Sequence, residues 1–189
     1  MAEPAADAEV LDGFVSLEDY LRMKMESPTK HEYVAGEIHA MVRVSKRHNQ
    51  IMLNFARRLS DAAGDGPCRI YLAEVKLRAA EDVIYHPDVV VVCAEEGNDP
   101  YIVDRPCVVV EITSPSTASI DRREKMFVYR RIPSLEAYLI VDQEQRLVDR
   151  YAREGDQWIH GMHTANSGAT IPIPCLATNI TLDEIDARV

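Results

Sequence analysis

Two acids stand inside apolar β-type runs where folding alone gives them no reason to be. Asp88 follows Pro87 and opens Val89-Val-Val-Val, and Glu111 sits within Cys107-Val-Val-Val-Glu-Ile-Thr. A carboxylate in a Val-rich strand is costly to desolvate, and two at close range repel by about 4 kcal/mol at an effective dielectric near 20. Such a pair calls for something cationic between its members. On a purely structural account, Pro87-Asp88 is a strand-entry turn and Glu111 the partner of an arginine. On a chemical account, the two carboxylates bridge a divalent metal. Strand character follows from β-branched content and from turn signals: Asp82 before the first run, Asn98-Asp-Pro and Arg105-Pro106 before the second. Two strands joined by a loop form an antiparallel pair. Alternation then puts Asp88 on the face of Val90 and Val92, and Glu111 on the face of Val109 and Thr113.

The elements that must position these acids can be read in order. Ser16-Leu-Glu-Asp19 is an N-cap pattern for a short helix that ends near Ser27-Pro28. His31 to Val34 and Glu37 to Val42 form a hairpin around Ala35-Gly36. Ser45 caps a longer helix whose His48, Ile51, Met52, Phe55, Ala56 and Leu59 recur at helical spacing, stopped by Ala62-Ala-Gly-Asp-Gly-Pro67. Cys68 to Arg78 is predicted as one strand, turning at Ala80-Glu-Asp into the strand of Asp88. Beyond Glu111, the Thr113-Ser-Pro-Ser-Thr117 loop leads to a helix from about Ile120 to Arg131, which stops before Pro133. A strand over Leu135 to Asp142, a hairpin through Glu154-Gly-Asp, and a capping-box helix at Thr181-Leu-Asp-Glu184 complete the chain. This order predicts an α/β (α+β) fold with a mixed sheet flanked by helices and extra β-hairpins near both ends. One domain over 14–189, preceded by a flexible acidic tail over 1–13, is expected.

Bulk properties exclude several classes. The chain has 189 residues, 47% of them apolar and 28% charged, with no stretch near the roughly 20 apolar residues of a membrane span. No membrane partner is expected. The N-terminus carries acids where an export signal needs Lys or Arg, so a cytoplasmic location is expected. Cys68, Cys93, Cys107 and Cys175 show no C-x-x-C spacing and read as reduced, structural thiols rather than a zinc site. The net charge of −10 is uneven: six acids and no basic residue lie in the first twenty positions, leaving 21 basic against 25 acidic residues elsewhere. Basic clusters at Lys46-Arg47-His48, Arg57-Arg58, Arg122-Arg123 and Arg130-Arg131 could form a phosphate-facing stripe on an acidic body.

The order of elements around Asp88 and Glu111 resembles the core of PD-(D/E)XK nucleases, the restriction-endonuclease-like fold. More closely, the chain from about Phe14 to Ile185 resembles the Uma-two family of restriction-endonuclease-like proteins. The matching pieces are Glu32-Tyr-Val-x-Gly-Glu37, Arg47-His48-Asn49, Tyr85-His-Pro-Asp88, Val109-Val-Glu-Ile-Thr-Ser-Pro-Ser-Thr117, Asp121-x-x-x-Lys125 and Ile132-Pro-Ser-Leu-Glu-Ala-Tyr. The resemblance implies a Mg²⁺-dependent DNA endonuclease, with Mn²⁺ as a substitute. It assigns the metal to Asp88, Glu111 and the main-chain carbonyl of Ile112, with Glu37 as a further candidate ligand.

One departure stands out. The motif's lysine, one intervening residue after the Glu, is here Thr113, which cannot carry positive charge. Lys125, a turn into the following helix, is the first replacement, and Lys76 the second. Asp88, Glu111 and Lys125 are thus the expected catalytic group, and Lys46, Arg47, His48, Lys76 and Arg122 the expected phosphate or DNA contacts. His48 also reads as a cap or packing residue, and His86 is assigned to the face opposite Asp88. DNA and a second copy of the chain, as a homodimer, are the expected partners. The alternative is a catalytically inactive nuclease-fold protein acting as a nucleic-acid-binding or protein-interaction module.

Overall fold

The computed structural model describes residues 14–26, 30–41, 44–95, 97–113, 121–165 and 170–189, with the main chain alone at 25, 26, 121 and 122. The acidic tail and the Ser114 to Thr117 segment lie outside the described residues. Helix α1 (Leu17–Glu26) leads into a hairpin of β1 (His31–Val34) and β2 (Glu37–Ala40), whose turn places Ala35 and Gly36 at positive φ. Helix α2 (Lys46–Ala63) begins where Ser45 Oγ accepts the His48 N–H at 3.0 Å. It buries His48, Ile51, Phe55 and Leu59, the residues of its apolar stripe, and ends at Gly64 with φ of 49°.

The expected strand from Cys68 to Arg78 is two strands, β3 (Arg69–Leu72) and β4 (Lys76–Ala80), broken by a turn at Ala73–Glu74. The run leading to Asp88 is likewise split into β5 (Val83–Tyr85) and β6 (Val89–Val92). Pro87 has no N–H to give a ladder, so pairing stops there and the chain changes sheets. After β7 (Ile102–Val103) and β8 (Val108–Thr113), a π-helical turn over Asp121–Lys125 runs directly into α3 (Met126–Tyr129). Strands β9 (Ala137–Asp142), β10 (Leu147–Glu154) and β11 (Gln157–Thr164) follow. The C-terminal part holds β12 (Ile171–Ile173), a 3₁₀ turn, β13 (Thr178–Ile180) and α4 (Leu182–Ile185), which carries the expected capping box between Thr181 and Glu184.

Two sheets result. One has the order β2-β1-β5-β4-β7, and the other β11-β10-β9-β8-β6-β3. In the larger sheet β6 and β8 are antiparallel, as expected, and β8 and β9 are parallel. Each face of this sheet is covered. Val89, Val91, Val108, Val110 and Ile112 pack on Ile51, Phe55 and Leu59 of α2. Val90, Val92 and Val109 face the other way, toward Leu77, Val83 and Tyr85 of the smaller sheet and Tyr129 of α3. Burial on both faces explains why β6 and β8 are unbroken Val runs. The mixed α+β architecture expected from the element order is the one observed.

The four cysteines are not separate thiols. Their sulfurs pair as Cys68–Cys93 and Cys107–Cys175, against the expectation of a reduced, scattered set. Among the described residues no helix is long and apolar enough to cross a membrane.

Candidate active site

The β6–β8 register pairs Val89 with Val110, so one further step sets Asp88 opposite Glu111. By alternation both belong to the face of Val90, Val92 and Val109, which looks toward the smaller sheet. Asp88 is 7% exposed and Glu111 5%. Each oxygen of Asp88 has a partner: Oδ1 lies 2.8 Å from His48 Nε2, and Oδ2 accepts the Ile112 N–H at 2.7 Å. In a strand the N–H and C=O of one residue project to the same side, so the Ile112 carbonyl projects to the β6 side of β8 as well.

Glu111 Oε1 accepts from Lys125 Nζ at 3.0 Å and from the Tyr129 hydroxyl at 2.9 Å. Lys125 and Tyr129 are four residues apart, and this spacing brings both side chains to one side of the π-turn and α3. Tyr129 stacks edge-on against Tyr85 and Tyr138, and Lys125 Nζ sits 5.1 Å from the centre of the Tyr85 ring. Burial, with Glu111 beside it, holds the Tyr129 phenol well above its ordinary pKa. It therefore keeps its proton and acts as a donor to Glu111.

A third carboxylate completes the group. Glu32 Oε1 accepts from Lys125 Nζ at 2.9 Å and from the His86 N–H at 3.3 Å. In β1, Tyr33 packs on Tyr20 of α1 while Glu32 and Val34 project toward the larger sheet. The pattern His31-Glu-Tyr-Val carries that alternation, but an acid in a hairpin is too ordinary to single out. Lys125 thus lies between carboxylates from both sheets, 6% exposed.

Several expected contacts stand elsewhere. Glu37 is at the turn end of the hairpin, 70% exposed and 3.5 Å from His39, so it is no ligand; Glu32 is the hairpin acid at the site. His48 is not a surface phosphate contact, because its ring is buried against Asp88. The burial agrees with the packing reading of His48, while its contact with Asp88 is not something a histidine at a helix start signals. Arg47 donates to the Gln143 carbonyl. Lys76 stands over the Tyr101 ring at 5.8 Å, and the contact to Glu111 belongs to Lys125. Lys46 is exposed, and the Arg122 side chain lies outside the described residues. His86 turns its Nδ1 to the Ala73 carbonyl at 3.2 Å. Thr113 is buried, its hydroxyl 3.4 Å from the Val141 carbonyl.

The model of the Uma2 family, described as "Putative restriction endonuclease", matches residues 17–183. The chain belongs to the Uma2 family. Two uncharacterized proteins of Synechocystis sp. are similar to it. One, sll1609, is 34% identical over 146 residues, covering 75% of this chain and 82% of its own. The other, slr1290, is 32% identical over 148 residues, covering 77% and 78%. The fold matches a crystal structure described as "a putative nuclease belonging to DUF820" from Anabaena variabilis, with a TM-score of 0.74 and 17% identity. That match covers 92% of this chain and 98% of the other. At that identity the likeness concerns the fold alone, and it agrees with a nuclease-type architecture for this Uma2 chain.

Proposed function

We propose that this Uma2 protein is a Mg²⁺-dependent endonuclease that hydrolyses phosphodiester bonds of DNA. The observation that carries the reading is the opposition of Asp88 and Glu111 across β6 and β8 with a lysine ammonium on Glu111. The donor set fits a hard divalent cation: buried carboxylate oxygens and a main-chain carbonyl, with no sulfur among them. Asp88, Glu111 and the Ile112 carbonyl would hold it. When bound, Mg²⁺ supplies Lewis acidity toward phosphate oxygens and a water of lowered pKa.

The remaining roles fall to the chain itself. Lys125 places a fixed positive charge where negative charge builds on phosphorus, among the buried Tyr85 and Tyr129 side chains where that charge is weakly screened. It restores what Thr113 cannot provide. His48 orients Asp88, and Tyr129 orients Glu111, so both carboxylates hold one direction before metal or substrate arrives. Glu32 holds the ammonium from the far side. An inactive module, suggested by Thr113 and by the acidic balance, would be expected to leave Lys125 remote from the carboxylates, so its contact with Glu111 supports the active reading.

The test is incubation of supercoiled, linear and single-stranded DNA with the purified protein in Mg²⁺, Mn²⁺ or EDTA. Cleavage with either metal, absent in EDTA and reduced at least about 100-fold in Asp88→Ala, is the expected outcome. Absence of cleavage from all three substrates would select the binding-module reading. Because cutting both strands requires two sites, a symmetric pair of chains is part of the proposal, checked by light scattering with and without DNA.

A further inference from the structure

Four cysteines scattered between positions 68 and 175 meet at one point. Cys68 precedes β3 and Cys93 follows β6, opposite each other one step beyond the Arg69 to Val92 pair. Cys107 leads into β8, with its N–H bonded to the Val91 carbonyl at 2.8 Å. Cys175 comes from the 3₁₀ turn between β12 and β13. The two sulfur pairs abut: Cys93 Sγ is 3.4 Å from Cys107 Sγ, and the sulfurs of Cys93, Cys107 and Cys175 all lie within 4.8 Å of one another. Cys68 and Cys107 are buried at 8% and 6% exposure, whereas Cys93 and Cys175 are half-buried and open a route to solvent. None of the four serves the carboxylate site. Cys93 is five residues along the strand from Asp88, roughly 16 Å at about 3.3 Å per residue.

A cysteine acting as a small hydrophobe needs no second sulfur beside it, and a single bridge between two strands needs only two. Convergence of four sulfurs from four separate segments is the donor set of a tetrahedral thiolate centre. We propose that, with its thiols reduced, this cluster binds one Zn²⁺ through Cys68, Cys93, Cys107 and Cys175. A tetrahedron with Zn–S of about 2.3 Å has sulfurs about 3.8 Å apart; Cys93 and Cys107 are 3.4 Å apart, Cys175 lies within 4.8 Å of both, and Cys68 adjoins the trio through its partner Cys93. Uptake exchanges four thiol protons for one Zn²⁺, and no electrons move. When the sulfurs are paired as disulfides, no thiolate remains to ligate, so zinc and the two bridges are alternative states of one site. Thiolates are soft donors, so zinc collects here and Mg²⁺ among the carboxylate oxygens at the other end of β6 and β8. Zinc would tie β3, β6, β8 and the β12–β13 hairpin together at that end.

The experiment uses the full chain purified anaerobically in a phosphine reductant. Free thiols are counted by alkylation and mass spectrometry, bound metal by elemental analysis, and Co²⁺ is titrated in as a spectroscopic probe. One metal per chain, with the thiolate-to-cobalt charge-transfer and tetrahedral d–d bands bleached by Zn²⁺, is expected. Cys175→Ser and Cys107→Ser should each abolish the one-to-one uptake, and Asp88→Ala should retain it, which separates this site from the Mg²⁺ reading. Four alkylatable thiols with less than one equivalent of Co²⁺ or Zn²⁺ bound would overturn the proposal, as would disulfides that persist in the reductant.

Discussion

Lys125 sits between Glu111 and Glu32 with almost no contact with water, so in the metal-free protein its ammonium neutralises carboxylates that a metal would otherwise stabilise. Removing it should therefore act on stability and metal binding in opposite senses. Breaking a buried ion pair costs about 3 to 5 kcal/mol, and Lys125→Met in EDTA should lose an amount of that order in urea denaturation. In Mg²⁺ much of the loss should return, because the carboxylates have gained appetite for a cation, while DNA cleavage stays low. A variant equally unstable with and without Mg²⁺ would show that the lysine only fills space. His86 carries a second prediction. Burial pulls its pKa down to about 4, from 6.5, and the structure leaves it uncharged at neutral pH. Above pH 6.5 neither the folded nor the unfolded chain protonates it. As pH falls from 6.5 toward 4 the unfolded chain takes up a proton that the folded one refuses, so stability is lost across that window, by about 2 to 3 kcal/mol. Urea midpoints in EDTA should show this acid slope in the native chain and a flatter one in His86→Gln.

At the scale of elements, α2 joins sequence pattern and site most directly. Its cap, Ser45, accepts the His48 N–H and donates to Gln143 Oε1 at 3.0 Å, fixing the helix start beside Asp88. Ser45→Ala should cost about 1 kcal/mol in denaturant unfolding. It should also weaken Mg²⁺ binding by calorimetry, because the histidine that orients Asp88 loses its anchor, and Ser45→Thr should restore both. A cost in stability alone would mean that His48 is held by packing. The helix and its buried stripe were legible from a cap followed by apolar spacing, and the Val runs of β6 and β8 from composition. The breaks at Ala73–Glu74 and His86–Pro87 were less so: Ala, Glu and Pro are poor strand formers, but each break is flanked by good ones, and only tertiary pairing decides which sheet receives each half. Lys125 was placed by the departure at Thr113. Tyr129 was not, since an aromatic four residues on reads as core, which it also is.

At the scale of the whole molecule, the site is assembled from both sheets: Glu32 from the smaller, Asp88 and Glu111 from the larger, and Lys125 from the segment joining β8 to β9. Strand propensity says nothing of partner choice, so neither this partition nor the gathering of four distant cysteines could be read from local pattern. The two sheets meet over one apolar layer in which Leu77, Tyr85, Val90, Val109, Tyr129 and Tyr138 are essentially fully buried. Undocking them would expose that layer and separate Lys125 from Glu32, so the described chain should unfold as one cooperative unit. A ligand bound only by the folded state then stabilises all of it: at a hundred times its Kd, Mg²⁺ should add about 2.7 kcal/mol. Calorimetric scans of the native chain should show a single transition that moves upward with Mg²⁺, and Asp88→Ala a single transition that does not. Two transitions, with Mg²⁺ moving only one, would mean that the smaller sheet melts by itself and that Glu32 is not coupled to Asp88 and Glu111.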